Sequence, residues 1–401
     1  MRVRCFGFVA SLGAMEATLG KGRAAPGMAQ QVSTRAAFFI AGFSVGCWAP
    51  LVPYAKERAH LDEAQLGALL LCLGMGSIVT MPFAGVLAAR LGCRAILCAA
   101  ALVLGLCLPM LATWSLVPAL AVTLFVFGAC LGTADVTMNI QATVVERTSG
   151  RALMSGFHGM YSVGGLVGAS AMSGLLWLGL SPLVSVLGGT TVIVGLVARF
   201  ARDLLPYGIE SGGQSFVWPR GKVLLIGILC FITFMAEGSI LDWGALFLTT
   251  LRGIASAQAG LGYAAFAVAM TIGRLNGDRI VESLGGKKIL LGGGLCAALG
   301  LGLVVLVPWV PVALLGFTMV GLGCSNIVPV LFTQTGKQKV MPAGLAIGAI
   351  TTIGYTGILT GPAAIGFIAH ATSLALSMGI VALCLLAVPL AAKMVMASTP
   401  E

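Results

Sequence analysis

Apolar residues run through the chain in long blocks, separated by short connections rich in Gly, Pro, Arg and Lys. A helix rises about 1.5 Å per residue, so roughly 20 consecutive apolar residues cross the hydrocarbon core of a bilayer. Blocks of that length predict spans over 33–55, 66–89, 95–113, 116–141, 153–178, 183–200, 223–248, 258–281, 289–307, 310–334, 344–369 and 374–392. The predicted fold class is therefore an all-α polytopic membrane protein with 12 transmembrane helices. An even number of spans places both ends of the chain on one side.

Composition excludes the alternatives. Of the 401 residues 58% are hydrophobic and only 9% charged, where soluble domains carry about a quarter of their residues as Asp, Glu, Lys and Arg. The eleven cysteines form no CxxC pair and sit mostly inside apolar blocks, so they read as packed small hydrophobes, with no disulfide or metal site expected. The net charge of +10 would suggest nucleic acid in a soluble protein; here it sets orientation, because Lys and Arg collect on the cytoplasmic side of a membrane. With cytoplasmic termini, of the 23 basic residues only Lys56, Arg58 and Arg252 fall on the outer side. The expected location is the bacterial inner membrane, multi-pass, with both termini cytoplasmic.

The connection between the sixth and seventh spans carries Pro206, Gly208, Gly212, Gly213 and Pro219, and reads as a flexible linker between two halves. The domain division is then an N-terminal extension at 1–32, a six-helix bundle at 33–200, a linker at 201–221, a second bundle at 222–394 and a tail at 395–401. Arg2 and Arg4 ahead of a short apolar stretch give a feeble signal-peptide pattern without a cleavage site. Met28 is the expected natural start.

The halves superpose at an offset of 193 residues. Ala64, Gln65 and Gly67 fall on Ala257, Gln258 and Gly260; Leu91, Gly92, Ile96 and Leu97 fall on Leu284, Gly285, Ile289 and Leu290; Gly164 and Gly168 fall on Gly357 and Gly361. With a two-residue shift, Trp48 falls on Trp243. Two parallel six-helix repeats are one of the recurrent transporter designs. The segment GVLAARLGCR, Gly85 to Arg94, resembles the major facilitator signature G-x-x-x-D-R-x-G-x-R/K: Gly85, Arg90, Gly92 and Arg94 match, and Ala89 stands where the signature has its acid. The equivalent stretch of the second half has Arg274, Asp278, Arg279, Glu282, Gly285, Lys287 and Lys288, and keeps an acid. Two further stretches, Gly132 to Gly165 and Ala236 to Leu248, are similar to the bacterial YbjJ/MosC-like subgroup of the major facilitator superfamily. The resemblance implies the 12-helix transporter fold, a central cavity lined by the first, fourth, seventh and tenth helices, and gating by Gly85, Arg90, Gly92, Arg94, Arg274, Asp278 and Arg279 at one face.

Ionisable side chains inside a bilayer are costly and are functional candidates by default. In the fourth span these are Asp135 with Asn139 one turn further on the same face; in the seventh, Glu237 near the centre and Asp242 further out. Asn326 in the tenth is the repeat-mate of Asp135 at an offset of 191, and His158 lies in the fifth. Trp48 and Trp243 offer rings for a sugar face or a cation. Each has a bland competitor: helix packing for Asp135 and Asn139, a bond to a polar group such as Tyr355 for Glu237, solvation for Asp242, a carbonyl bond for His158, and interfacial anchoring for the tryptophans. No Lys or Arg occupies the middle of a predicted span, which predicts a cavity neutral to negative in charge.

The predicted function is secondary transport by alternating access, as proton-coupled symport of a neutral sugar- or polyol-like solute with Asp135 as the coupling group. Proton-antiport efflux of amphipathic or cationic compounds is the alternative, and a non-transporting sensor or scaffold a third. No P-loop and no HExxH is present, so neither ATP-driven transport nor an enzyme is expected. The expected partners are a small-molecule solute, protons and the lipid bilayer, with a monomer as the working unit and no cofactor, metal or nucleic acid.

Overall fold

The computed structural model describes residues 27–209, 217–255, 258 and 260–397. Expectations for the first 26 residues, for 210–216 of the linker, for Ala257 and for residues 398–401 fall outside that set. Among the described residues the chain is helical throughout, in twelve successive helices: α1, Met28–Arg58, with a 3-10 turn at Ala49–Leu51; α2, Glu63–Leu91; α3, Cys93–Thr113; α4, Val117–Ser149; α5, Met154–Trp177; α6, Pro182–Phe200; α7, Lys222–Arg252; α8, Leu261–Leu275, resuming as Gly277–Leu284; α9, Gly286–Leu306; α10, Val310–Cys324, resuming as Ile327–Lys337; α11, Ala343–Ala371; and α12, Leu374–Leu385, resuming as Ala387–Met396. Ten of these are long and apolar enough to cross a membrane, and the apolar Leu261–Leu275 is shorter. The remaining one, α5, has 24 residues, diluted by Gly, Ser and His.

Local signals explain the helix ends. Asp62 caps α2, its Oδ1 accepting from Gln65 N at 2.7 Å, which satisfies one of the N–H groups that a helix start leaves without a partner. Gly150 and Gly253 close α4 and α7 in the left-handed region, at φ 65° and 67°, where a Cβ is disfavoured. Two of the three basic residues expected on the outer side have matched tasks. Arg58 donates to the carbonyls of Leu111 and Trp114 at the end of α3. Arg252 donates to those of Val304 and Val305 at the end of α9. A cation on the last free carbonyls of a helix offsets its dipole, and the duplicated pair explains why these charges oppose the general bias.

The duplication is repeated in the packing. α1 lies along α5 as α7 lies along α11, α2 along α4 as α8 along α10, and α3 contacts α4 and α6 as α9 contacts α10 and α12. Glycines permit the closest approaches. A Cβ at Gly164 would stand 2.2 Å from the Phe39 carbonyl oxygen, and one at its repeat-mate Gly357 2.3 Å from that of Phe231. Between the halves, α2 packs on α11 and α5 on α8 and the second segment of α10.

The linker departs from its expected flexibility. Residues 201–209 do not hang between the halves; Leu204, Leu205 and Tyr207 are buried, and the segment is hydrogen-bonded to the turn between α2 and α3. This segment marks one face of the molecule, the linker face.

Candidate functional site

Pro329 lies in the first turn of the second segment of α10, and it has no N–H to donate to the carbonyl of Ser325 four residues earlier. Its ring also crowds that carbonyl, so a helix breaks there. The break falls at Ser325 and Asn326, and inside a membrane the freed groups need partners within the protein. Arg274 of α8 supplies one: its Nε donates to the Ser325 carbonyl at 3.4 Å. Asn326 Nδ2 donates to the Gly273 carbonyl at 3.1 Å and to Ser325 Oγ at 3.0 Å, stitching α10 to α8.

The rest of the Arg274 guanidinium spans the two halves. Nη1 donates to Ser162 Oγ of α5 at 3.0 Å, and Nη2 lies 3.4 Å from Glu237 Oε1 of α7. Glu237 is fifteen residues from Lys222 and fifteen from Arg252, the middle of α7, so its partner sits at mid-depth as well. Arg274 is 7% exposed. This corrects two expectations: Arg274 is an intramembrane residue rather than a member of the gate at the linker face, and the core does contain a cation. The partner of Glu237 is Arg274, not Tyr355. Because Glu237 neutralises Arg274, the pair presents no net positive charge to a solute.

Across the site, Asp135 of α4 is half-buried and makes no ion pair among the described residues. Asn139 braces it, donating from Nδ2 to the Asp135 carbonyl at 2.9 Å and to Oδ1 at 3.2 Å. Three of the five tyrosines gather here. Tyr161 of α5 lies within the electrostatic reach of Asp135, Tyr355 and Arg274, and Tyr355 of α11 lies against Ser77 and near Asp135. Tyr263 of α8, 40% exposed, lies within reach of Glu237, Arg274 and Asp242. Asp242 is exposed, and on a regular helix it diverges from Glu237 by about 140°.

The other expected residues have more structural surroundings. Trp48 is 5% exposed within the core, and Trp243 rests its six-membered ring over Gly366 of α11 in its own half. His158 Nδ1 bonds to the Met154 carbonyl at 3.0 Å; a carbonyl only accepts, so Nδ1 carries the proton. Its ring sits between Phe38 of α1 and Phe332 of α10, with centroids at 5.2 and 5.6 Å, an aromatic layer that joins the halves on the linker side of the site.

Beyond that layer the linker face is shut. Glu146 Oε2 accepts from Leu153 N at 2.8 Å and Met154 N at 2.7 Å, while its Oε1 accepts from Thr333 Oγ1 of the second half at 2.6 Å. Asp278 Oδ1 accepts from Gly156 N at 2.9 Å. Two carboxylates from different halves thus hold the start of α5, where unpaired N–H groups and the helix dipole favour negative charge. Arg147 Nη1 donates to the Gly336 carbonyl at 3.2 Å, and Arg151 meets Glu282 at 3.6 Å, an exposed pair that adds little. Gly85 abuts Gly344 at the start of α11. Gly92 turns the chain from α2 into α3 at φ 82°, Arg94 binds linker carbonyls, and Arg90 and Arg279 are exposed.

Sequence reasoning did not find Ser162, Tyr161, Tyr263, Glu146 or Thr333. The spacing of Pro329 from Ser325 was the one available signal for the α10 break.

A duplicated six-helix bundle with a polar cluster at mid-depth and one closed face defines a helical membrane transporter. The chain belongs to the Major Facilitator Superfamily, whose family model matches residues 36–362; its members are transporters and not enzymes. It is 56% identical over 371 residues, 92% of this chain and 97% of the relative, to an uncharacterized MFS-type transporter of Yersinia pestis. It is 31% identical over 346 residues to the membrane protein MosC of Rhizobium meliloti, covering 84% of this chain and 83% of the relative. Among solved structures, the E. coli fucose:proton symporter FucP shares the fold with a TM-score of 0.76 at 16% identity, over 92% of this chain and 98% of that one.

Proposed function

We propose that this transporter carries a small neutral polar solute, of sugar or polyol type, in symport with protons by alternating access. The halves are residues 33–200 and 222–394, joined by 201–221, and they rock about the cluster formed by Asp135, Glu237 and Arg274. The observation that carries the reading is the contrast between the two mid-membrane acids: Glu237 is committed to Arg274 at 3.4 Å, whereas Asp135 faces the site without a cation and is available to bind a proton. A proton on Asp135 biases the same equilibrium that the solute biases. Asn139, Tyr161, Tyr263 and Tyr355 supply neutral hydrogen-bonding groups for hydroxyls. The excess of basic residues at the linker face supports a cytoplasmic side for that face and for both termini, in a bacterial inner membrane, and solute would then enter this conformation from outside. A monomer contains the whole site.

A second reading follows from the same lone carboxylate. An ammonium group on the solute would compete with the proton for Asp135, and the cycle would then be an exchange that exports cationic compounds. Proteoliposomes separate the two. With sugars, inositols or amines screened first by thermal shift, the added solute should draw protons along with it in the symport reading. Proton movement opposite to the solute would select exchange, and no solute-dependent proton movement for any thermally stabilising compound would overturn both.

A further inference from the structure

Helix α3 starts behind Gly92 without a side-chain cap, so its first N–H groups need other acceptors. The linker provides them: Cys93 N donates to the Tyr207 carbonyl at 3.3 Å and Arg94 N to that of Leu205 at 2.7 Å. The Arg94 side chain adds two more, from Nε to the Leu204 carbonyl at 3.0 Å and from Nη2 to that of Arg202 at 2.5 Å. Ser33 Oγ donates to the Asp203 carbonyl, and Leu205 N donates to Gln141 Oε1 of α4. Five of the six backbone positions from 202 to 207, all but Pro206, are thereby fixed to the first half, and the side chains of Leu204, Leu205 and Tyr207 are buried.

Two glycines let this strap lie flat. A Cβ at Gly92 would stand 2.3 Å from the Pro206 carbonyl oxygen, and one at Gly208 2.5 Å from that of Ala88 and 3.1 Å from Ala89 N. The strap therefore crosses the backbone at Ala89, the position where the signature has its acid. One residue further on, the Ile209 carbonyl oxygen lies 3.4 Å from where a Cβ on Gly344 would stand. Gly344 is the second residue of α11, in the other half, and it also abuts Gly85. The end of α2, the strap and the start of α11 meet at one point of the closed linker face.

We propose that the strap of residues 202–209 is the first half's part of the linker-face latch, standing in for the acid absent at Ala89, with Arg94 as the residue that positions it. The latch is then chemically asymmetric. The start of α5 is held by the carboxylates of Glu146 and Asp278, while the start of α11 is seated on the uncharged backbone of the strap. This extends the alternating-access reading and rests on it.

Hydrogen exchange of the full chain in lipid nanodiscs, read by mass spectrometry, tests the proposal. Arg94→Ala removes the two side-chain bonds; Gly208→Val lifts the strap from Ala88 without touching Arg94, and retention of the monodisperse wild-type elution profile shows that each variant folds. Both should speed exchange about tenfold or more across 203–209 and, at a distance, in the first turns of α11 (343–346) and α5 (154–157), because opening exposes all three together. Arg94→Lys, which keeps the charge but only one donor nitrogen in place of the Nε and Nη2 pair, should fall between. Asp278→Asn, acting from the opposite side of the latch, should speed exchange at the α11 turn too. If exchange rises over 203–209 alone while Asp278→Asn still loosens α11, the strap is a local tie and the proposal is wrong. Unchanged exchange over 203–209 in Arg94→Ala removes Arg94 from its assigned role. If neither Asp278→Asn nor the strap variants loosen α11, the rocking of the halves is itself the part that fails.

Discussion

Arg274 of α8 and Glu237 of α7 face each other at 3.4 Å at mid-depth, on consecutive helices. The guanidinium also bonds Ser162 and the Ser325 carbonyl, so four helices, α5, α7, α8 and α10, converge on one side chain.

That convergence makes the pair unequal to the sum of its parts. Removing one partner of a buried ion pair typically costs about 3–5 kcal/mol, because the other charge is stranded, while replacing both is often close to neutral. Arg274→Met alone should lower the apparent Tm of the purified transporter sharply and Glu237→Gln alone should lower it too. The double variant should recover most of the loss. A double variant no more stable than Arg274→Met would show that the bonds to Ser162 and Ser325 matter more than the charge pairing.

Pro329→Ala returns an N–H to the position four residues after Ser325. The helix can then close its own hydrogen bond, in competition with Arg274 Nε. The expected outcome is a protein of equal or greater thermal stability whose solute uptake is slower, measured in proteoliposomes. Unchanged uptake would mean that the α10 break has no part in the cycle.

Asp135→Asn should abolish uptake driven by a pH gradient while leaving solute counterflow in place, since counterflow needs the site to reorient but not to release a proton. Loss of both with normal folding would make Asp135 a solute ligand rather than the coupling group.

Close helix contacts give a prediction with an internal control. A Cβ at Gly42 would stand 2.0 Å from the Tyr161 carbonyl oxygen, whereas one at Gly195 meets nothing within 4 Å. Backbone on backbone cannot yield as a flexible side chain does, and overpacking of this kind costs on the order of 1–3 kcal/mol or more. Gly42→Leu should reduce the monodisperse yield and Tm markedly, and Gly195→Ala should match wild type by size-exclusion chromatography and thermal unfolding.

Much of this protein was legible in its sequence. The number of helices and their approximate limits followed from apolar block length, because the bilayer imposes the same length on every crossing. The duplication was legible as well, and its matched glycines, Gly164 with Gly357, proved to be matched helix contacts. Asp135, Glu237 and Asn326 stood out because an ionisable or amide group among apolar neighbours is conspicuous. Arg274 did not stand out. Counting the eighth span through residue 281 placed it near a helix end, where basic residues are ordinary; the helix instead breaks after Leu275, and packing against α7 brings Arg274 to mid-depth.

What the sequence determined by itself was therefore everything set by the one-dimensional contrast between apolar and polar residues: the membrane class, the crossings, the repeat and the short roster of intramembrane polar groups. Tertiary structure decided the pairings. Arg274 finds Glu237 across 37 residues of chain and Ser162 across 112, and the strap's carbonyls reach Arg94 across about as many. Side chains and carbonyls so far apart meet only because helices pack in one arrangement, and in a medium without water each buried donor must end on whichever acceptor that packing places within reach.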